Sequence, residues 1–245
     1  MPRLIPFRLA AVCALALVLS LSIAAGAVAK GVSADLRVVG KGGKVLTEQT
    51  LSTGTTAIKT SPKANCFGAG TAGSGKSVTI RGATALGLLG QASKSTGSLR
   101  PLLITDAFDF GLGICGVGGY SATNQESWYL KVNHENPEIG GELVKLKSGD
   151  DVLWALARFP YPKELALVAP GEATAGMPFG VRVLAYDDKG KRKPVKGAVV
   201  TGASGPTDSQ GRTQVTLSLP TLIRATHSKD IPSNGVGVCV AAICP

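Results

Sequence analysis

The chain has 245 residues, 26 Lys and Arg against 16 Asp and Glu, a formal net charge of +10, 32 Gly and only 5% aromatic residues. A Gly-rich, aromatic-poor composition disfavours helical bundles and favours turn-rich β-modules. Two histidines in the whole chain, and no Gly-x-Ser-x-Gly string at a strand-to-helix turn, weigh against a serine hydrolase.

Arg3 and Arg8 form a basic head, Leu9 to Ile23 carries no charge, and Ala27-Val28-Ala29 precedes Lys30 with the small-x-small pattern of a cleaved secretory signal. The competing reading is an uncleaved membrane anchor, because Leu9 to Val28 is about 20 residues, enough to cross a bilayer. A lipoprotein anchor on Cys13 is disfavoured, since Val12 stands where a small residue is needed. Cleavage after residue 29 leaves 216 residues, room for two domains of about 100 residues each, with a net charge of +8 and no further membrane span. Outside the cell that excess favours an anionic envelope polymer or membrane surface as partner. Nucleic acid is not expected: the one dense basic group, Lys189, Lys191, Arg192, Lys193 and Lys196, reads as a solvated hairpin tip without interleaved aromatics.

Export leaves four cysteines, Cys66, Cys115, Cys239 and Cys244, in an oxidising compartment where an even number implies disulfides. Of three pairings, Cys66 with Cys115 and Cys239 with Cys244 keeps each bridge inside one proposed domain. A four-thiolate zinc site lacks a close Cys-x-x-Cys pair, and His134 and His227 have no obvious ligand partner in sequence. No metal or cofactor is expected.

In chain order, Leu36 to Val39 and Lys44 to Leu51 read as a hairpin about Lys41-Gly42-Gly43. Ser52 to Lys76 reads as a long loop that the first disulfide must hold, and Ser77 to Ile80 as a short strand. Ala83 to Ala92 places Ala85, Leu86 and Leu89 on one helical face. Leu102 to Thr105 and Gly111 to Gly119 read as strand and turn pieces. Ser127 to Asn133 alternates, with Trp128, Leu130 and Val132 on one face, and Val152 to Ala157 is apolar on both sides of the pleat, which suits a strand covered on both faces.

The succession of hairpin, glycine-rich loop, "GATALGLL" helix, "ESWYLKVN" strand and "LKSGDDVLWAL" strand resembles the small β-grasp domain related to the C-terminal domain of transcobalamin and intrinsic factor, which many secreted bacterial proteins carry. The resemblance covers roughly residues 33–159. Its most specific part pairs Trp128-Tyr129 and Val132-Asn133 with Gly149-Asp150 and Trp154. It implies an α+β fold and a binding role; the long Cys-bearing loop departs from it, and nothing resembles the large helical domain that supplies much of the corrinoid contact in the animal proteins.

After Pro160-Tyr161-Pro162, short strands are marked by Leu165 and Leu167, by Val181 and Val183, by Val199 and Val200, and by Val215, Leu217 and Leu219, with turns at Asp187 to Gly190 and Asp208 to Gly211. Regular short strands with turn signals predict a sandwich. "KPVKGAVVTGASGPTDSQGRTQVTL" is similar to bacterial immunoglobulin-like repeats. The expected organisation is therefore a signal at 1–29, a β-grasp-like domain at 30–160 and an immunoglobulin-like β-sandwich at 163–245.

Gly70 to Ser77 matches the Walker A string, but its mechanism needs a buried strand before the loop and a helix starting at Lys76. The preceding Thr60 to Cys66 is polar and the following Ser77 to Ile80 is strand-like, so a plain loop is expected. Asp106 with Asp109, or Glu135 with Glu138, offers carboxylate pairs, yet nothing in their spacing sets the roughly 5 to 9 Å separation that glycoside hydrolysis needs. No catalytic residue is assigned. Trp128, Tyr129 and Trp154 serve either as core or as a stacking surface, core being favoured, and Tyr129 lies on the face opposite Trp128. The expected function is a secreted, non-enzymatic binding protein for a small molecule or envelope polymer, with Trp128, Tyr129 and Asn133 as the candidate ligand-binding residues and the His134 to Gly141 loop beside them. The alternatives are an envelope spacer held by charge and, less favoured, an extracellular hydrolase.

Overall fold

A computed structural model of the chain describes residues 31–240. The expected signal segment 1–29 and Cys244 lie outside the described residues. The first half contains strands β1 (Val32–Val39), β2 (Val45–Thr53), β3 (Thr56–Lys59) and β4 (Ser77–Ile80), then helix α1 (Ala85–Ser95). Strands β5 (Leu102–Phe108), β6 (Gly111–Val117), β7 (Tyr120–Ser121), β8 (Glu126–Val132) and β9 (Asp151–Arg158) follow. The second half is all strand: β10 (Glu164–Val168), β11 (Glu172–Ala173), β12 (Pro178–Tyr186), β13 (Arg192–Pro194) and β14 (Val199–Val200), then β15 (Arg212–Thr216), β16 (Thr221–Ile223), β17 (Ala225–Thr226) and β18 (Val236–Val240). The described residues are thus mostly β, with one short α-helix and several small sheets.

The largest sheet of the first half has the order β2-β1-β9-β8. Strand β1 pairs antiparallel with β2 and parallel with β9, and β9 pairs antiparallel with β8. Helix α1 covers one face. Its start is fixed by Thr84, whose hydroxyl accepts a hydrogen bond from the Gly87 backbone N–H at 3.0 Å, supplying one of the orphan donors of the first turn. Gly87 and Gly90 weaken the helix by propensity, but both are buried, and a side chain at Gly90 would collide with Ile58. The core on this side joins Leu36, Val38, Leu86, Leu89, Trp128, Leu130, Val152 and Trp154. Each fully buried aliphatic side chain contributes roughly 1.5–3 kcal/mol.

Strand alternation sends Val39, Tyr129, Leu153, Ala155 and Ala157 to the opposite face, where Tyr161 of the connecting segment and Ile231 of the second half cover them. The unbroken apolar run of β9 is explained by these two covers. The second half has its own core, including Leu165, Val183, Val200, Val215, Ile223 and Val238.

Two sequence expectations are corrected. The segment Ser52 to Lys76 is not all loop, because Thr56–Lys59 forms β3 and pairs with β4; alternating Thr and Ile in a short polar run carry little periodic signal. Strand β15 ends at Thr216, and Leu219, expected inside a strand, is exposed. The cysteine pairing in the first half is as expected: Cys66 and Cys115 are bridged, with their Cα atoms 5.3 Å apart. Cys239 is also disulfide-bonded.

Candidate functional site: an aromatic cleft beside an open strand edge

The chain has only six Phe, four Tyr and two Trp, and seven of these line one cleft of about 450 Å³. One wall is strand β8 from Ser127 to Leu130; the other comprises Phe108, Phe110 and the first residues of β6, with Phe67. The segment Asn136 to Gly141 and the ring of Trp154 close the cleft, and Tyr161 borders it.

Three separate segments build the aromatic wall. Phe67 follows Cys66, so the disulfide to Cys115 carries it onto the β5–β6 hairpin, where it meets Phe108 edge to face at 5.3 Å. Phe108 stacks on Phe110 at 4.9 Å, and Phe110 is 82% exposed. Phe159 is nearly as exposed, at 78%, but lies outside this cleft; single exposed apolar rings are ordinary, and Phe110 matters because it adjoins a concave apolar surface. Glu142 ties the far side, accepting a hydrogen bond from the Leu112 backbone N–H at 3.0 Å. Gly141 must stay small, because a Cβ there would stand 2.7 Å from the Trp154 ring.

Backbone direction matters as much as the rings. In β8 the odd-numbered residues face β9, as the bond from Asn133 N–H to the Asp151 carbonyl shows, so the even-numbered residues point their N–H and C=O groups to the open edge. At the two ends those groups are satisfied locally. Glu126 bonds Thr123, and Val132 exchanges two hydrogen bonds with Glu135. Between them, the outward groups of Trp128 and Leu130 have no backbone partner among the described residues, and both residues line the cleft. The Trp128 indole Nε1 is buried without a hydrogen-bond partner among the described residues.

The candidate residues read from sequence separate. Trp128 is 8% exposed and contributes both to the core and to the cleft wall. Tyr129 is 3% exposed and points to the second half: it stacks on Tyr161 at 4.0 Å, and its hydroxyl donates to Asp188 Oδ1 at 2.5 Å. Burial, with the Asp188 carboxylate beside it, pushes its phenol well above the usual tyrosine value. Tyr129 therefore lines the cleft with part of its ring while its hydroxyl is held by the second half, so it is a fixed wall residue rather than a free rim. Asn133 does not line the cleft; it sits in the left-handed region (φ 51) and its amide is engaged by Asp150 Oδ1 and the Asp151 N–H. The exposed aromatics Phe67 and Phe110 were missed, because their only sequence signal is their position next to Cys66 and at the β5–β6 turn.

Behind the cleft lies a buried ionic cluster that joins the two halves. Glu164, 1% exposed, pairs with Arg37 of β1, lies 3.7 Å from Lys131 of β8, and is 3.0 Å from His134 Nδ1. His134 stacks on Tyr186 at 3.8 Å, and Lys131 Nζ donates to the Asp187 carbonyl at 2.7 Å. His134, Asp151 and Glu164 present ligand-type atoms within 4.8 Å of one another, which corrects the expectation that His134 has no partner; His227 likewise lies 2.8 Å from Asp230. Arg37 and Lys131 beside Glu164 already supply the positive charge a divalent ion would bring, so the arrangement fits an ion-paired joint.

The Walker-like string has no phosphate cradle. The Asp106 carboxylate accepts from the Ser74 N–H at 2.7 Å and from its hydroxyl at 2.6 Å, and these bonds hold Asp106 below the ordinary carboxylate value. The two Ser74 donors are thus taken by an anionic side chain. Lys189, Lys191, Arg192, Lys193 and Lys196 are exposed on and beside the β12–β13 hairpin. No helix among the described residues is long and apolar enough to cross a membrane. The chain matches no family model, and no curated protein proved similar to it.

Proposed function

We propose that the protein is a secreted or cell-surface, non-enzymatic binding protein in which a β-grasp-like module carries the ligand site and an immunoglobulin-like sandwich braces it. The β-grasp reading rests on a sheet with two hairpin-like pairs joined by central parallel strands, β1 and β9, under one helix. The sandwich reading rests on short, mostly antiparallel strands around a separate core. Export is supported by the disulfide, which suits an oxidising compartment.

The observation that carries the function is the concentration of aromatic side chains in one cleft with Phe110 open to solvent. A concave apolar site with a few polar groups at its edge is the usual form of a ligand pocket. The test uses Nile red, a neutral apolar dye, on the intact protein. Saturable binding at one site is expected, weakened at least tenfold by Phe110→Ser with unchanged thermal unfolding, since an exposed ring contributes little to the core. Dye binding indifferent to Phe110→Ser would contradict the assignment.

The second reading, an envelope spacer held by charge, is favoured by the exposed cations of the β12–β13 hairpin. It predicts release from cells in roughly 0.5 M salt, because exposed charge attraction is screened there. Retention in that salt, together with dye binding at the cleft, would leave the cleft reading alone standing.

A further inference from the structure

We infer that the cleft takes an extended peptide, added as a fifth strand along the open edge of β8 and carrying a basic side chain at the rim. This rests on the cleft being the ligand site. The outward N–H and C=O groups of Trp128 and Leu130 form a window two residues wide, closed at Glu126 and at Val132 by the chain's own turns. Such a window presents donors and acceptors in the alternation of a β-ladder, which an extended backbone matches and a flat apolar ring does not. Side chains of an added strand alternate between two faces. Those on the helix side meet Leu86, Ile114 and Trp154, and those on the other meet Tyr161 and Asn136.

Charge selects among peptides. Among the described residues Glu138 is the one charged side chain that lines the cleft, in a chain whose formal net charge is +10. Its carboxylate and the open face of Phe110 suit a Lys or Arg, the ring by cation–π attraction. An acidic peptide has no partner there. A partner exposing a basic, alternating strand-forming segment fits this chemistry.

The test is an array of acetyl- and amide-capped hexapeptides that alternate Val with Phe, Leu, Thr or Lys, read by fluorescence polarisation against the intact protein, with a Gly-Ser hexapeptide as control. The best binder then enters a backbone N-methyl scan. Methylation at alternate positions is expected to weaken binding at least tenfold while the intervening positions change it less than twofold, because only every second N–H faces β8. Replacing its Lys by Glu is expected to weaken binding several-fold, and Glu138→Gln to remove that discrimination. A flat N-methyl scan, or no array member binding above control, overturns the peptide inference. If Nile red still binds in a Phe110-dependent way, the cleft remains the ligand site for another chemistry; if neither dye nor peptide binds, both readings fall.

Discussion

Replacing Glu164 by Gln is expected to cost about 3–5 kcal/mol, the range for removing one partner of a buried ion pair. The size follows from what is left behind. Arg37, Lys131 and Glu164 are each no more than 2% exposed, so loss of the carboxylate charge strands two cations between the halves. The Arg37 Nε already has no hydrogen-bond partner among the described residues, and the variant withdraws the ion pair that offsets that cost. Urea unfolding read by tryptophan fluorescence measures the loss, because Trp128 and Trp154 both lie in the sheet that the second half covers. An effect below about 1 kcal/mol, the range of exposed pairs, would contradict the joint.

The same variant carries a pH signature. Burial alone would raise the Glu164 carboxyl, but the hydrogen bond from His134 and the charges of Arg37, His134 and Lys131 outweigh it and hold the group below the ordinary glutamate value. A carboxyl depressed by folding contributes stability that is complete above its unfolded value and is lost as pH falls through its folded value. The difference between wild type and Glu164→Gln is therefore expected to be largest near neutrality and to shrink below about pH 4. Asp151 works in the opposite sense: burial raises it despite Arg37, so its contribution favours the fold in acid. A difference that stays constant from neutrality down to acid would show that Glu164 acts by shape rather than charge.

Reducing the Cys66–Cys115 bridge, or replacing both residues by Ser, is expected to cost about 4 kcal/mol in the chain-entropy account of a loop near 50 residues; the sequence separation is 49. The functional loss should exceed the stability loss. Phe67 reaches Phe108 because Cys66 is fastened to β6, and the residues between β3 and β4 have few other ties. Those to the β5 strand are Ser61 to the Ile104 carbonyl, Ser74 to Asp106 and Thr105 to the Thr71 carbonyl, beside bonds within the segment, such as Gly73 to the Ser61 carbonyl, and the burial of Ala64. Limited proteolysis should cut between Pro62 and Gly75 in the reduced protein and not in the oxidised one, and Nile red binding should weaken under conditions where the sheet remains folded. Equal protection in both states would contradict a role for the bridge in shaping the cleft wall.

Local patterning made much of the architecture legible. The Ser77 to Ile80 strand, the helix at Ala85 and the alternating block around Trp128 follow from periodicity and agree with the structure. The double-sided apolar run of β9 correctly implied two covers. What covers the second face was hidden, because Arg37, Lys131 and Glu164 have the composition of surface residues and their burial comes from a partner 127 positions away from Arg37. Lys131 held the available clue: it alternates onto the same face as Tyr129, opposite the helix. The cleft was hidden for another reason. Phe67, Phe108 and Phe110 share no strand and no period, and only a disulfide and a hairpin turn bring them together. Asn133 shows a different limit: an exposed polar residue after a strand reads as a ligand rim in sequence, and the structure places it in a left-handed turn bonded to Asp150, outside the aromatic cleft.

Ligand recognition in the aromatic cleft is the central proposal. The most direct measurement is a ¹H–¹⁵N correlation spectrum of the intact protein titrated with a solubilised envelope fraction, following the indole N–H signals of Trp128 and Trp154. Both signals are expected to move with the Trp128 and Leu130 amides, and to stay fixed in the Phe110→Ser variant. Movement confined to the Lys189 to Lys196 hairpin, with both indole signals unmoved, would contradict the account.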